Sequence, residues 1–299
     1  MNVIYTVAGV GILTTVGLAV YGYFEGVPEV DIVVATRAGN LAKVKQLLER
    51  DPALIKAKSY PQGYESASKR LASNQGGSAW QGRYLIHDAI ARGTNPLPLL
   101  DLLAAAGADI KVRRNGRTLL HDAAHDGNLE VATWLIDHGA DVNAVNDCGD
   151  KCVELGWTPL HNAQYVITGE MSQLLLARDA AVDAISADGS SALHVAAAMT
   201  GGMGGAFVLC RHGADPTRKN ASGRTSRDLS LKPAPPPTGW HKPDDDPTEL
   251  PDYLKADSGC AKLAARAKST GAPVSEDDAR LAYGEFACAR GVKDACASK

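Results

Sequence analysis

The sequence predicts an all-α solenoid, a row of repeated helix pairs, on three observations. The stretch Arg117 to Asp141 reads as two short helices broken at Gly127-Asn128 and closed at Gly139-Ala140-Asp141. Versions of it recur, with opening histidines His87, His121, His161 and His194 at steps of 34, 40 and 33 residues. Aromatic residues make up only 5% of the chain, which suits stacked Ala and Leu helices rather than a β-sandwich. One such unit is too narrow to bury its own apolar face, so it needs neighbours.

Each letter of the unit has a physical role. Thr118 is placed to cap the first helix, whose leading amides lack intrahelical acceptors. Ala123 and Ala124 are small enough for close helix approach. Gly127 permits the left-handed exit that a side chain penalises. Leu129, Val131, Ala132, Leu135 and Ile136 form the apolar stripe of the second helix. Other copies open at Tyr84, Thr158 and Ser191 and close at Gly107, Asp179 and Gly213. Residues from Asp31 to Leu48 read as a capping unit, and Gly223 to Leu229 as a truncated last half.

These motifs in phase resemble the ankyrin repeat family over residues 31–231. The resemblance implies helix pairs joined by β-hairpin fingers, a protein partner, and scaffold histidines whose side chains bond to neighbouring turns. The domains expected are an anchor or signal at 1–25, repeats at 26–231, a Pro-rich linker at 232–251 and a helical Cys-containing tail at 252–299.

Residues 3–24 carry no charge, and 22 residues at about 1.5 Å each cross a ~30 Å hydrocarbon core. An uncleaved membrane anchor is expected. The alternative is a secretory signal cleaved near Gly17-Leu18-Ala19, against which stand the missing basic residue before the run and its length. Six cysteines, several in close pairs, suit an oxidising compartment, so the repeats are expected on the periplasmic side of an inner membrane. Secretion after cleavage, or a cytoplasmic orientation, are the alternatives. The net charge of −3 gives no footprint for nucleic acid.

Two insertions interrupt the period. Residues 59–82 hold Tyr60, Tyr64 and Trp80 among Gly, Ser and Asn. Residues 147–154 hold Asp147, Asp150, Cys148 and Cys152. Both fall where ankyrin fingers project, and with the basic Arg113, Arg114 and Arg117 they are the candidate partner-contacting residues. Cys148 and Cys152, four apart around Gly149, are expected as a disulfide, with free thiols as the alternative; a zinc site would want four ligands. Cys210 reads as a small buried hydrophobe. Proline then ends the array between Lys232 and Pro251.

In the tail, Leu263, Ala264 and Ala267 fit an amphipathic helix ending at Gly271, and Ser275 to Asp278 caps another. Cys288 and Cys296, seven residues apart around a Gly turn, resemble the bridge of cysteine-rich Sel-like α/α repeats. The resemblance implies that they pair, leaving Cys260 free or competing for a partner.

No catalytic constellation is organised. His121 and His125 stand four apart, as in zinc helices, but the first falls on the ankyrin scaffold position. A metal-dependent enzyme using this pair is the alternative that the scaffold reading displaces. Thr200 to Gly205 is glycine-rich without the strand and Lys-Ser/Thr of a phosphate loop, and reads as an inter-helix turn. The function expected is a membrane-anchored protein-binding module without cofactor or catalysis, working as a monomer or in a one-to-one complex. An immunity protein that neutralises a toxic effector is the alternative.

Overall fold

A computed structural model describes residues 28–59, 83–91, 95–149, 152–166, 168–199, 203–230, 259–275 and 278. The anchor run 3–24, Tyr60, Tyr64, Trp80, Asp150, the Pro-rich linker, Cys288 and Cys296 lie outside the described residues. Among the described residues, no helix is long and apolar enough to cross a membrane. The chain divides into two compact units, ending and beginning at Ala108 and Asp109.

In the first unit, α1 (Pro28–Ala38) pairs with α2 (Leu41–Arg50), and α3 (Leu85–Ile90) with α4 (Leu97–Ala105). Asn40 caps α2, its side chain accepting from the Lys43 amide at 3.0 Å. Strands β1 (Lys58–Ser59) and β2 (Arg83–Tyr84) pair antiparallel across the first insertion. Ile32, Val44, Leu47, Leu85, Ile86, Leu100 and Leu103 form the core. Asp88 is buried and held between Arg37 and Arg83 at 3.5 and 3.6 Å.

The second unit opens with a hairpin, β3 (Arg113–Arg114) against β4 (Arg117–Thr118). Its turn is Asn115-Gly116, both at positive φ, as a two-residue type I′ hairpin requires. Helix pairs follow: α5 (Leu119–Asp126) with α6 (Leu129–Asp137), and the short α7 (Pro159–Asn162) with α8 (Glu170–Leu176). Next come α9 (Ala192–Ala198) with α10 (Met203–Arg211), then α11 (Ser226–Ser230). Gly139 and Gly213 follow second helices at φ 88° and 91°, and Asp179 takes the same place at φ 65°. An aspartate is one of the few side chains that tolerates this region, so the altered letter keeps the turn.

Histidine does what Glu does in an ordinary capping box. The Nδ1 of His121 accepts from the Thr118 amide at 3.2 Å and contacts its hydroxyl at 2.7 Å. Its Nε2 lies 2.9 Å from the Trp157 carbonyl in the next repeat. His161 and His194 repeat the arrangement toward Ser190 and Arg224 at 3.1 and 3.2 Å. Because Nδ1 takes an amide proton, the ring carries its own proton on Nε2 and donates it to the neighbour. In these three repeats the histidine thus locks the start of the first helix and ties it to the next repeat.

Two readings are corrected. Gly204 and Gly205 are helical, inside α10, rather than part of a turn. A Cβ on Gly205 would collide with the buried Gln164 side chain, so glycine here permits close helix packing. Cys210 is buried but not a lone hydrophobe, and Cys260 is not free: they form a disulfide across 50 residues. Helix α12 (Gly259–Thr270) returns to pack on α10, bringing the sulfurs together. Leu263, Ala267 and Val274 bury against Phe207 there. Val274 and Arg211 exchange bonds, amide to carbonyl at 3.0 Å and guanidinium to carbonyl at 2.9 Å. Closing a loop of this length is worth about 2–4 kcal/mol. The double variant Cys210→Ala/Cys260→Ala is expected to lose about that much, with amide exchange rising first in α12. Unchanged exchange in α12 would contradict its tethering.

Candidate functional site

The fingers of the second unit form a row joined backbone to backbone. Asp147 donates to the Gly116 carbonyl at 3.3 Å, Ala187 to Leu155 at 3.0 Å, and Ala221 to Asp188 at 2.8 Å. Gly116, Gly156 and Gly189 sit at the contact points, all at positive φ. A Cβ at Gly116 would overlap the Asp147 backbone, and one at Gly156 would stand 2.8 Å from the Ala187 nitrogen. The insertion enters the first arm of the second finger. It is bracketed by Asn146 donating to Trp157 at 2.7 Å and Gly156 donating to Asn146 at 2.8 Å. Cys148 and Cys152 form a disulfide that clasps its tip, next to Val153, which is 91% exposed.

The structure places the basic residues in internal bonds. Arg114 and Arg117 both reach Asp122, at 3.3 and 3.2 Å, and Arg117 also reaches Glu154 at 3.4 Å. Arg113 is exposed, yet its guanidinium donates to the Gly116 and Val145 carbonyls at 2.8 and 2.7 Å. Their first role is therefore to brace two fingers against α5. Asp147 is exposed on the second finger.

Over this brace lies an aromatic group that the sequence reading missed. Tyr165 stands 4.8 Å from the His125 ring and 6.1 Å from Trp157, centroid to centroid. Tyr165 is 41% exposed, Trp157 is buried, and the His125 side chain is 40% exposed. Desolvation first, and then the Glu154 carboxylate, push the Tyr165 phenol upward, so it stays protonated and can donate. His125 Nδ1 lies 3.0 Å from the Asp126 carboxylate. His121 and His125 thus do opposite things, one buried as a strut and one displayed. Among the described residues, no group of three or more His, Cys, Asp or Glu gathers as a metal site would require.

A signal for Tyr165 did exist. It stands four residues after His161, as His125 does after His121 and Ala198 after His194. In the second unit this register is exposed or half-exposed at each repeat, so a ring there serves no core. Charge adds to the pattern. From 119 to 199 the sequence holds twelve Asp and Glu against two Lys and Arg, a net of −10 in a chain of −3.

Repeated helix pairs, a row of hairpin fingers and capping histidines define a class of binding scaffold. The family model described as "Ankyrin repeats (many copies)" matches residues 120–165. Residues 120–165 are thus similar to ankyrin repeats, and the helix pairs of the described residues form an all-α repeat fold of the kind that serves protein–protein interaction. It is 37% identical over 128 residues to the mouse B-cell lymphoma 3 protein homolog, covering 42% of this chain and 27% of that one. It is 43% identical over 70 residues to mouse protein phosphatase 1 regulatory subunit 27, covering 23% and 44% respectively. Over 97 residues it is 34% identical to the rice potassium channel AKT1, covering 32% of this chain and 10% of that one. The aligned stretches span less than half the length of these relatives.

Proposed function

We propose that the chain binds a protein partner without catalysing a reaction, through the face made by the first three fingers of the second unit, α5 and Tyr165. One observation carries this reading: exposed rings at one register of neighbouring repeats, set on a braced network of ion pairs. Such a surface binds with little reordering, and aromatic side chains dominate contact energies. The name of the phosphatase regulatory subunit, a similar protein, is consistent with a protein partner. The same proposal has the uncharged run 3–24 tether the repeats at a membrane, facing an oxidising compartment. Two disulfides within the repeats and tail support that placement.

The full chain and its Tyr165→Ala/Val153→Asp variant serve as paired baits in affinity capture. Val153 is 91% exposed and Tyr165 41%, so folding is expected to change by about 0.5 kcal/mol or less at the first and about 1 kcal/mol at the second. A protein held by the wild type and lost by the folded variant supports the proposal. Identical sets from both baits would refute it.

A further inference from the structure

We infer that this face receives a cationic segment of its partner, a Lys or Arg side chain flanked by apolar residues; the inference rests on the protein-binding reading above. Three independent features specify that chemistry.

The first is charge. The repeats from 119 to 199 carry a net of −10. Arg113, Arg114 and Arg117 at its edge reduce this only in part: residues 113–199 still carry a net of −7, from twelve Asp and Glu against five Lys and Arg. Arg114 and Arg117 are spent on Asp122 and Glu154, and Arg113 on two carbonyls. An acidic segment would meet repulsion here, and a basic one would be steered in.

The second is the ring. Tyr165 presents π surface to solvent beside His125, and Asp126, 65% exposed at its side chain, is bonded to that histidine. A π face with a carboxylate close by attracts an ammonium or guanidinium from two sides. The phenol, held protonated, adds a donor for a carbonyl of the same segment.

The third is exposed apolar surface on the fingers. Val145 and Ile185 hold matching places at the start of consecutive fingers, and with Val153 they are 51%, 52% and 91% exposed. They offer the flanking residues a place to lie.

The test uses the full chain and three fluorescent dodecapeptides of alternating Leu and Lys, Leu and Gln, or Leu and Glu, read by anisotropy at low and moderate salt. The Lys peptide is expected to bind at least about tenfold tighter than the Gln peptide, and to weaken as salt rises. Tyr165→Ala is expected to lose about tenfold, Asp126→Asn about threefold, and Tyr165→Phe, which keeps the π face, about twofold or less. A Glu peptide that binds as well as the Lys peptide overturns the inference, as does an unchanged Lys affinity in Tyr165→Ala. The two proposals fail separately. If captured proteins are lost with Tyr165→Ala/Val153→Asp while the Lys peptide shows no preference, the face binds protein but not a cation. If neither responds, both readings fall.

Discussion

Acidification from pH 7 to pH 4 is expected to remove on the order of 6 kcal/mol from the stability of the second unit, through two histidines alone. His121 and His161 are fully buried, and burial is the largest cause that lowers each from the ordinary 6.5 to about 4. The carbonyls of Trp157 and Ser190 oppose the shift without cancelling it. A second proton has nowhere to go, because each Nδ1 already faces an amide proton. Between pH 6.5 and pH 4 the unfolded chain therefore binds more protons than the folded one. Stability is complete above pH 6.5 and falls as the pH drops toward 4, by about 3 kcal/mol for each ring. Thermal unfolding followed by circular dichroism across this range checks the size. His121→Leu/His161→Leu should be less stable at pH 7, since it strands buried amides and carbonyls, and should lose most of the slope. A variant with the wild-type slope would remove these two rings from the explanation.

Gly116→Val is expected to cost about 4–5 kcal/mol, among the largest effects a single substitution gives. The added carbons fall on the Asp147 backbone, and the position has φ 81°, which a β-branched residue avoids. The next finger must move away, which breaks the 3.3 Å bond between Asp147 and Gly116. Alanine along the row should grade the cost by the space available. At Gly116 the backbone overlap is severe, at Gly156 the nearest atom would be 2.8 Å away, and at Gly189 it would be 3.0 Å away. At Gly223 nothing lies within 4 Å, so only the φ penalty of about 1–2 kcal/mol remains. Denaturant midpoints for the four alanine variants test the order 116, 156, 189, 223. A flat series would mean that the fingers do not touch as described.

What could be read from the sequence divides along physical lines. The repeat period, the helix pairs and the capping threonines were legible because each follows from spacing and local chemistry. Cys148 and Cys152 stand four residues apart, so their meeting needed no tertiary information. The Cys210–Cys260 bridge was hidden because it depends on α12 folding back across 50 residues, which no local pattern encodes. Arg113, Arg114 and Arg117 looked like an open basic patch because their acceptors come from α5 and the next finger. Tyr165 was legible in principle. It is a ring where the repeat register requires nothing buried, but a single altered letter inside a repeat is a weaker signal than a whole insertion.

The account turns on which surface meets the partner, and photo-crosslinking measures that directly. A benzophenone amino acid placed singly at Val153, Ile185, Val34 and Leu41 samples exposed apolar positions of both units, from 91% exposed at Val153 to 40% at Leu41. Crosslinks to one protein from Val153 and Ile185, and none from Val34 and Leu41, are the predicted result. Crosslinks from Val34 or Leu41 with silence at Val153 and Ile185 would contradict it.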